Sequence, residues 1–399
     1  MIIHSQKIFS YLYLLIPFFL ITGPAIPDII ITIGLIYGIY FLIYHKQYRK
    51  LTKISILRIS IIFWLLLILI SLFSYNKGNS FQDSLIFIRF LLIPIFCYFI
   101  FFKDSKIFER SLFIILILVM FVCVDTLYQF LNYSSKNGFG EDILGFKSDW
   151  YGRLTGPFGD ELIPGSYISK FGLIGFAFIL SLKKYERNII LHTIYLSSIL
   201  LICYVSGERM AFATFGLSLL VLFIFLDGYR KSILYSIFLG CFFIYLAIYI
   251  HPFFNDFEII ESTQYHQGQK IEKFFQCEND SNKICSTIVN IQPSFFEIIK
   301  NFSTSAYGEI YLLSYKMFLD NPITGIGINN FKYLCNNYEL YRNMMVNYDC
   351  ASHPHNIYLQ WLTEGGVVIF ISFFIYLFFL INFIINNTGE KKYKIISLV

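Results

Sequence analysis

Long apolar runs, separated by short polar segments, dominate the chain. A transmembrane helix needs roughly 17–25 mostly apolar residues, and about ten runs reach this length. They cover residues 8–25, 29–45, 59–76, 84–102, 111–132, 165–182, 189–205, 210–226, 232–250 and 363–386. The pattern predicts an all-α polytopic membrane protein with about ten transmembrane helices. The long segment before the last run predicts a large loop that contains short helices.

Composition supports a membrane protein and excludes several soluble classes. Hydrophobic residues make up 56% of the chain and charged residues 14%, with a mean hydropathy of +0.62. A soluble domain carries about 25% charged residues. The chain therefore does not fit a water-soluble globular enzyme, a nucleic-acid binder or a disordered protein. The 30 tyrosines and 46 phenylalanines suit aromatic belts at membrane interfaces.

Basic residues collect in alternate connections between the runs. If the N-terminus is cytoplasmic, every short basic loop falls on the cytoplasmic face, as the positive-inside rule requires. The first run follows Lys7 and lacks a small-x-small cleavage site, so we expect an uncleaved anchor. The tail GEKKYKIISLV begins like a turn that leads into a further span. Either the chain is shortened or it ends there.

The runs divide the chain into three predicted parts. Residues 1–250 form a nine-helix membrane region with an outer loop at 133–164. Residues 251–362 form a periplasmic loop domain, and residues 363–399 hold the last transmembrane helix and a cytoplasmic tail. A loop of that length inside a polytopic protein is usually functional.

Four cysteines lie in the long loop. Because they share one aqueous face, two disulfides in an oxidising compartment are favoured over four free thiols. The sequence leaves three pairings open. We favour the nearest neighbours, which are Cys277 with Cys285 and Cys335 with Cys350.

Two charged residues within apolar runs stand out, because an ionised side chain there costs at least about 2.5–3.5 kcal/mol. Arg89 lies in SLIFIRFLLIP, and Asp125 lies in VCVDTLYQF. Gln129 follows Asp125 by four residues and shares its helix face. One interpretation pairs Arg89 with Asp125 as a link between helices. The other places both in a polar cavity that opens outward.

Two outer segments carry further charge. In SGERMAF, Arg209 follows Gly207 and Glu208 at a short turn. Its planar guanidinium suits a lipid-linked phosphate, and the alternative is an interfacial Arg balanced by Glu208. In YGRLTGPFGDELIPGSY, glycines and prolines predict a tight, non-helical loop. Arg153 there is a second candidate for anion contact, and Glu161 is either an acid–base group or an orienting partner.

The string CASHPHNIYLQWLTEGG closes the long loop. Pro354 favours the first turn of a helix, so we expect His355 near a helix N-terminus, where the dipole disfavours imidazolium. A neutral imidazole can act as a general base; the alternative is a structural His. His353 is two residues away and no third ligand follows, so no metal site is predicted. Glu364 would lie half a turn round the helix from His355, out of contact.

Upstream of this string, NPITGIGINNF places Pro322, Gly325 and Gly327 in a turn. Its backbone N–H groups would be suited to an anion nest. Before the turn, apolar residues repeat at helical spacing. This spacing predicts an amphipathic interfacial helix over 307–319.

Together these segments resemble the O-antigen ligase and polymerase superfamily. The resemblance rests on RLTGPFGDE, SGERMAF, NPITGIGINNF and HPHNIYLQWLTEGG in this order. It implies inverting glycan transfer at the periplasmic face of a bacterial inner membrane, with no metal or other cofactor. The implied donor is a glycan on undecaprenyl diphosphate. The implied acceptor is lipid A-core in the ligases and a second lipid-linked glycan in the polymerases.

The resemblance also assigns roles to residues of this sequence. It makes His355 the general base and places Arg209 at the donor diphosphate, both as catalytic residues. The residues that we expect to contribute to substrate binding are Arg153, Arg89, Glu161, Asp125, His353 and Asn356.

Two other functions fit a polytopic chain. A repeat-unit polymerase shares the chemistry of the ligase and differs in its acceptor. Loss of a ligase leaves long polymer on the lipid carrier, whereas loss of a polymerase leaves single repeats. A polysaccharide or lipid transporter is a different class. Transporters tend to show inverted repeats and broken helices in matching positions, and the sequence shows neither.

Overall fold

A computed structural model gives the structure of most of the chain. The described residues are 2–46, 54–101, 105–134, 138–148, 152–255, 273–275, 287–289, 302–346, 348–387, 389 and 396. Cys277 and Cys285 lie outside the described residues, so their predicted disulfide stays a prediction.

Helices occupy most of the first 255 residues. The apolar runs form α1 (Ile2–Leu14), α2 (Ile16–Ile21), α3 (Ala25–Tyr44), α4 (Ser55–Ser71), α5 (Lys77–Ile86), α6 (Ile88–Phe96), α7 (Ser105–Leu131), α8 (Pro164–Ser181), α9 (Ile189–Val205), α10 (Arg209–Phe225), α11 (Arg230–Ile250) and α12 (Pro252–Asn255). A π-helical turn, Cys97–Phe101, continues α6. Two 3-10 turns connect longer helices, Gly156–Phe158 and Asp227–Tyr229.

The remaining described elements follow residue 270. They are β3 (Lys273–Phe275), β4 (Thr287–Val289), a 3-10 turn (Phe302–Thr304), α13 (Ala306–Asp320), α14 (Phe331–Asn337), α15 (Glu339–Arg342) and α16 (Ile357–Asn387). The strands β3 and β4 pair antiparallel. A smaller antiparallel pair, β1 (Tyr133–Ser134) and β2 (Gly138–Phe139), follows α7.

Five of the described helical segments are long and apolar enough to cross a membrane. They are Ala25–Tyr44, Lys77–Phe101, Lys106–Leu131, Asp227–Ile250 and Ile357–Asn387. Three shorter apolar helices, α4, α9 and α10, accompany them. A mostly helical, membrane-type fold is therefore confirmed, whereas the count of about ten spans and the periplasmic loop stay predictions.

The helix boundaries differ from the apolar runs for local reasons. Pro17 lies in the first turn of α2, and a proline inside a helix removes one hydrogen bond and clashes with the preceding turn. The first run is accordingly split between α1 and α2. The last helix begins at Ile357, six residues before its apolar run, because its first turns are formed by the more polar residues that precede this run.

Two large apolar clusters lie between the helices. One joins α7 to α11 and includes Val122, Phe176, Leu196 and Phe215, whose side chains are buried. The other joins α1, α3, α4 and α6. Large apolar side chains also cover the outside of the helices; Ile190, for example, is 72% exposed. Exposed apolar faces of this kind suit hydrocarbon surroundings.

A separate small core holds the loop helices together. Ile310, Leu313 and Met317 of α13 are buried against α14 and α15, which confirms the helix predicted over 307–319. A disulfide joins Cys335 to Cys350, one of the two favoured pairings. This bond closes the loop segment just before the string that contains the histidines.

Candidate functional site

Several helices meet their connecting loops at one end of the molecule, which we call the loop end. Here α7 ends at Leu131, while α8, α10 and α16 begin at Pro164, Arg209 and Ile357. The segments that lead into these helices carry five predicted site residues: Arg153, Glu161, His353, His355 and Asn356. The loop end is therefore where the candidate site is assembled.

Gln129 of α7 holds the loop that follows this helix. Its buried side-chain oxygen accepts hydrogen bonds from the backbone N–H groups of Thr155 (3.1 Å) and Gly156 (2.9 Å). Its amide donates to the Thr155 hydroxyl and to the carbonyl of Phe146. One side chain thus binds both halves of the loop and fixes the position of Arg153 between them.

Asp125 and Arg89 do not pair with each other, so the predicted link between these two residues is wrong. Arg89 forms an ion pair with Asp28 (2.8 Å) and donates to the hydroxyl of Thr32, both in α3. Asp125 is fully buried and accepts a hydrogen bond from the backbone N–H of Ile143 (3.0 Å). It therefore supports the same loop as Gln129 and does not line an open cavity.

The short turn before α10 packs directly against the loop that carries Arg153. The N–H of Leu154 donates to the carbonyl of Ser206 (3.1 Å). Gly207 has a φ of +77°, and a Cβ there would lie 2.2 Å from the carbonyl oxygen of Gly152. Only glycine fits this close approach. The contact brings Arg153 beside the residues that start α10.

The carboxylate of Glu208, which one interpretation of the sequence pairs with Arg209, binds the start of α8. Its carboxylate accepts hydrogen bonds from the N–H of Gly165 (2.6 Å) and from the N–H and hydroxyl of Ser166. A carboxylate at a helix N-terminus is favoured by the helix dipole. Glu208 therefore caps α8 and fastens the turn 206–208 to it.

Arg209 lies where three segments of the chain converge. Arg153 and the phenol of Tyr307 are both close enough to interact with it electrostatically. Arg153 donates to the carbonyl of Leu162 (3.0 Å), and its Nε is buried without a hydrogen-bond partner among the described residues. The loop end thus holds two neighbouring guanidinium groups.

Tyr307 connects these guanidinium groups to the predicted base. Its ring meets that of His355 edge to face, with the centroids 5.9 Å apart. Tyr307 lies in the first turn of α13 and is half exposed. Sequence reasoning missed this residue. The available signal was its place at the start of the amphipathic helix, outside that helix's apolar stripe.

His355 has an uncommon backbone conformation, with a φ of +54°. Such left-handed conformations of residues other than glycine are sparsely populated and cluster at functional sites. The ring of His353 lies 4.3 Å from that of His355, and the Ser352 hydroxyl bonds His353 at Nδ1 (2.8 Å). Partial desolvation, with His353 as a second cause, lowers the pKa of His355. Its imidazole is therefore neutral at neutral pH.

Asn356 is the residue that starts the last helix. Its side-chain oxygen accepts hydrogen bonds from the N–H groups of Tyr358 (3.0 Å) and Leu359 (3.2 Å). Asparagine is a preferred N-cap residue for this reason. The observed role of Asn356 is thus to start α16 directly after His355, and its predicted role in substrate binding stays a prediction.

The turn NPITGIG is not an anion nest, and the sequence prediction is wrong at this point. The N–H groups of Ile326 and Gly327 donate to the carbonyls of Thr363 (3.0 Å) and Glu364 (2.9 Å) in α16. A Cβ at Gly325 would lie 2.4 Å from the backbone of Glu364. The donors that a nest needs are used up, and the turn is fitted into α16.

The helix α16 is kinked at the place where this turn docks. Gly366 has a φ of +61° within the helix, and the next N–H, that of Val367, donates to the carbonyl of Pro322 (2.9 Å). Glu364 is buried beside the kink and accepts a hydrogen bond from Gln360 (3.3 Å). The strings NPITGIGINNF and HPHNIYLQWLTEGG therefore form one structural unit that supports His355.

Glu161, predicted as a substrate-binding residue, lies in the segment before α8. It is exposed, and its N–H donates to the carbonyl of Phe158 (3.2 Å). Across the described part of the chain, no group of three or more His, Cys, Asp or Glu residues is placed to hold a metal ion. Neither observation tests the chemistry, so the role of Glu161 and the absence of a metal both stay predictions.

Fold and site together define the class as a multi-pass membrane protein with a charged site at one end of its helices. A family model described as O-antigen ligase matches residues 194–374. This match confirms, over this part of the chain, the resemblance to the O-antigen ligase and polymerase superfamily. The members of this family are membrane glycosyltransferase-like enzymes. A comparison with curated proteins finds no match. The matched range includes Arg209, Tyr307 and His355.

Proposed function

We propose that this protein is an O-antigen ligase-like glycosyltransferase. It moves a glycan from undecaprenyl diphosphate to a sugar hydroxyl of lipid A-core at the periplasmic face of the bacterial inner membrane. The family match and the apolar helices support ligase- or polymerase-type activity in general. The donor, the acceptor and the orientation are the specific content of the proposal.

The observation that carries the proposal is the grouping at the loop end of two guanidinium groups with an imidazole. Arg153 and Arg209 are close enough to interact, and like charges at short range repel each other. A doubly charged anion between them would offset this repulsion, and the planar forks of arginine suit phosphate oxygens. Tyr307 links Arg209 to His355, so the anion and the base would share one site.

The proposed reaction is a single displacement at the anomeric carbon of the donor. The acceptor hydroxyl oxygen forms a bond to this carbon while its proton passes to His355. The bond between the carbon and the diphosphate oxygen breaks, and undecaprenyl diphosphate leaves with the electron pair. Direct attack inverts the anomeric centre. Arg209 and Arg153 stabilise the negative charge that develops on the leaving group.

The lowered pKa of His355 suits the role of base. Because burial and His353 disfavour the imidazolium, the ring is available to accept a proton at neutral pH. General base catalysis typically contributes about 10²–10⁴-fold to the rate. We therefore expect His355→Ala to lose transfer by at least about 100-fold while the fold is retained.

The direct test is glycan transfer by the purified protein. It is incubated with a glycan on undecaprenyl diphosphate and with lipid A-core, and the products are followed by mass spectrometry. His355→Ala and Arg209→Ala are each expected to stop transfer. Matched controls are His45→Ala, an exposed His at the end of α3, and Arg230→Ala, the first residue of α11. Both controls should transfer at the wild-type rate.

The acceptor arm of the same assay separates the ligase from its alternative. A second reaction replaces lipid A-core with a second lipid-linked glycan. Product on lipid A-core supports the ligase proposal, and product only on the lipid carrier identifies a polymerase. Full transfer by the His355→Ala protein would exclude His355 as the base.

A further inference from the structure

Tyr307 interacts with both the predicted base and the predicted phosphate-binding group. Its ring lies 5.9 Å from that of His355, and its phenol interacts electrostatically with Arg209. The three residues come from α13, the string before α16, and the start of α10. Tyr307 therefore joins three segments of the chain at the candidate site.

We propose that Tyr307 is a positioning and substrate-binding residue of the transfer site. Its ring holds the imidazole of His355 in place, and its hydroxyl donates a hydrogen bond to the donor diphosphate beside Arg209. This inference rests on the proposed function, because it names a further residue for that same reaction.

The ring contact has a physical reason to matter. His355 has a left-handed backbone, so its side chain is held by its surroundings rather than by a regular helix turn. An edge-to-face contact between aromatic rings contributes about 0.5–1.5 kcal/mol beyond the area that it buries. Tyr307 is itself held by α13, whose N-terminus is capped by the Ser305 hydroxyl (3.1 Å to the N–H of Gly308). A fixed ring thus orients a residue on an irregular segment.

The hydroxyl has a different task from the ring. A phenol is neutral at neutral pH and donates one hydrogen bond. Beside Arg209 it adds an uncharged donor to a site that already holds two positive charges. Tyr307 is half exposed, so its hydroxyl is accessible to a ligand. A neutral donor strengthens anion binding without adding repulsion to the guanidinium pair.

Two substitutions separate the ring from the hydroxyl. Tyr307→Phe keeps the ring, and we expect it to raise the donor KM about 10-fold with little change in kcat, because the lost bond is made to bound donor and transition state alike. Tyr307→Leu removes the ring as well. We expect its kcat to lie about 10- to 100-fold below that of Tyr307→Phe, which is roughly the effect of a misplaced base. The measurement is transfer kinetics of the full-length protein with donor varied at saturating acceptor.

A pH profile adds a readout that a purely structural role would not move. Without the ring, the imidazole of His355 regains contact with water and its pKa rises. The acid limb of kcat/KM for Tyr307→Leu should therefore move to higher pH. The titratable group that acts on this imidazole, His353 on the same segment, is unchanged in this variant.

Tyr315 provides the matched control. It lies two turns further along α13 and is 53% exposed, and both Tyr315→Phe and Tyr315→Leu should keep wild-type kinetics. If the wild type transfers glycan and both Tyr307 variants match it in KM, kcat and pH profile, the Tyr307 proposal is overturned and the proposed function stands. A wild type that transfers no glycan overturns both. A Tyr307→Leu protein that fails to fold leaves Tyr307→Phe to decide.

Discussion

Individual residues at the loop end adopt arrangements that raise the free energy of the protein when no ligand is bound. His355 has a φ of +54°, and a residue other than glycine in this region carries about 1–3 kcal/mol of strain. Arg153 and Arg209 place two positive charges near each other. Such costs are expected where a ligand or a reaction uses the arrangement. They concentrate on the residues that we assign to phosphate binding and proton transfer.

The histidine pair predicts a specific pH dependence. His353 contributes to the lowered pKa of His355, and the base is active only above its pKa. Replacing His353 by Gln removes this second cause of the lowering, so the pKa of His355 should rise. The acid limb of kcat/KM then moves to higher pH. His45→Gln should leave it in place, and a shift of the limb to lower pH for His353→Gln would refute the assignment.

Gly207 predicts a second residue-level effect. Gly207→Ala meets both a positive φ and a carbonyl oxygen at 2.2 Å, so we expect a loss of about 1–3 kcal/mol in stability and weaker donor binding. The control is Gly216→Ala in α10, where a Cβ meets open space and the substitution should be neutral or stabilising. Thermal unfolding in detergent measures both. Equal unfolding temperatures for the two variants would contradict the proposed packing of the turn.

At the scale of elements, the loop after α7 and the turn NPITGIG are each held by one neighbouring helix. Gln129 binds the first from α7, and the kink of α16 binds the second through backbone hydrogen bonds. These two attachments place Arg153 and His355. Loop geometry at this site therefore depends on helix side chains and on a helix interruption more than on the loops themselves.

The hydrogen bonds from Gln129 to the loop after α7 predict that Gln129→Leu lowers the stability of the protein. The change leaves the N–H groups of Thr155 and Gly156 buried without their partner, and each unsatisfied donor costs about 1–3 kcal/mol. We expect a lower unfolding temperature and a raised donor KM. The control is Ser218→Ala, a half-buried position whose hydroxyl donates to the carbonyl of Thr214 in its own helix. An unchanged unfolding temperature for Gln129→Leu would show that the loop does not need these hydrogen bonds.

The sequence predicted helices better than contacts between them. The apolar residues of a helix reflect whether it faces lipid, water or a protein core. The long apolar helices and the amphipathic α13 could therefore be predicted from the sequence pattern. The partner of Arg89 does not follow from periodicity, because Asp28 is distant in sequence and lies in the first turn of another helix, α3. The sequence predicted that the N–H groups of NPITGIG are available to bind an anion. It does not show that the kink of α16 leaves backbone carbonyls without helical partners, which accept these N–H groups. The hydrogen bonds of Glu208 to the start of α8 could not be predicted for the same reason.

In the molecule as a whole, segments far apart in sequence meet at one end of a helical membrane protein. The family match spans residues 194–374 and so includes both the turn of Arg209 and the string of His355. Tyr307 supplies the contact between them. The proposed transfer of a lipid-linked glycan needs this meeting, because the phosphate-binding group and the base act on one bond.

The most direct measurement is chemical cross-linking between the two segments. Arg209→Cys and His355→Cys are combined in a chain that otherwise keeps only Cys335 and Cys350, and a short bifunctional thiol reagent is added to intact membranes. In the control pair, Arg230→Cys replaces Arg209→Cys; it lies beyond the far end of α10, about 25 Å away by the helical rise. We predict a cross-link for the pair 209 and 355 and none for the pair 230 and 355. A cross-link only in the control pair, or in neither pair although both cysteines react singly, would contradict the shared site.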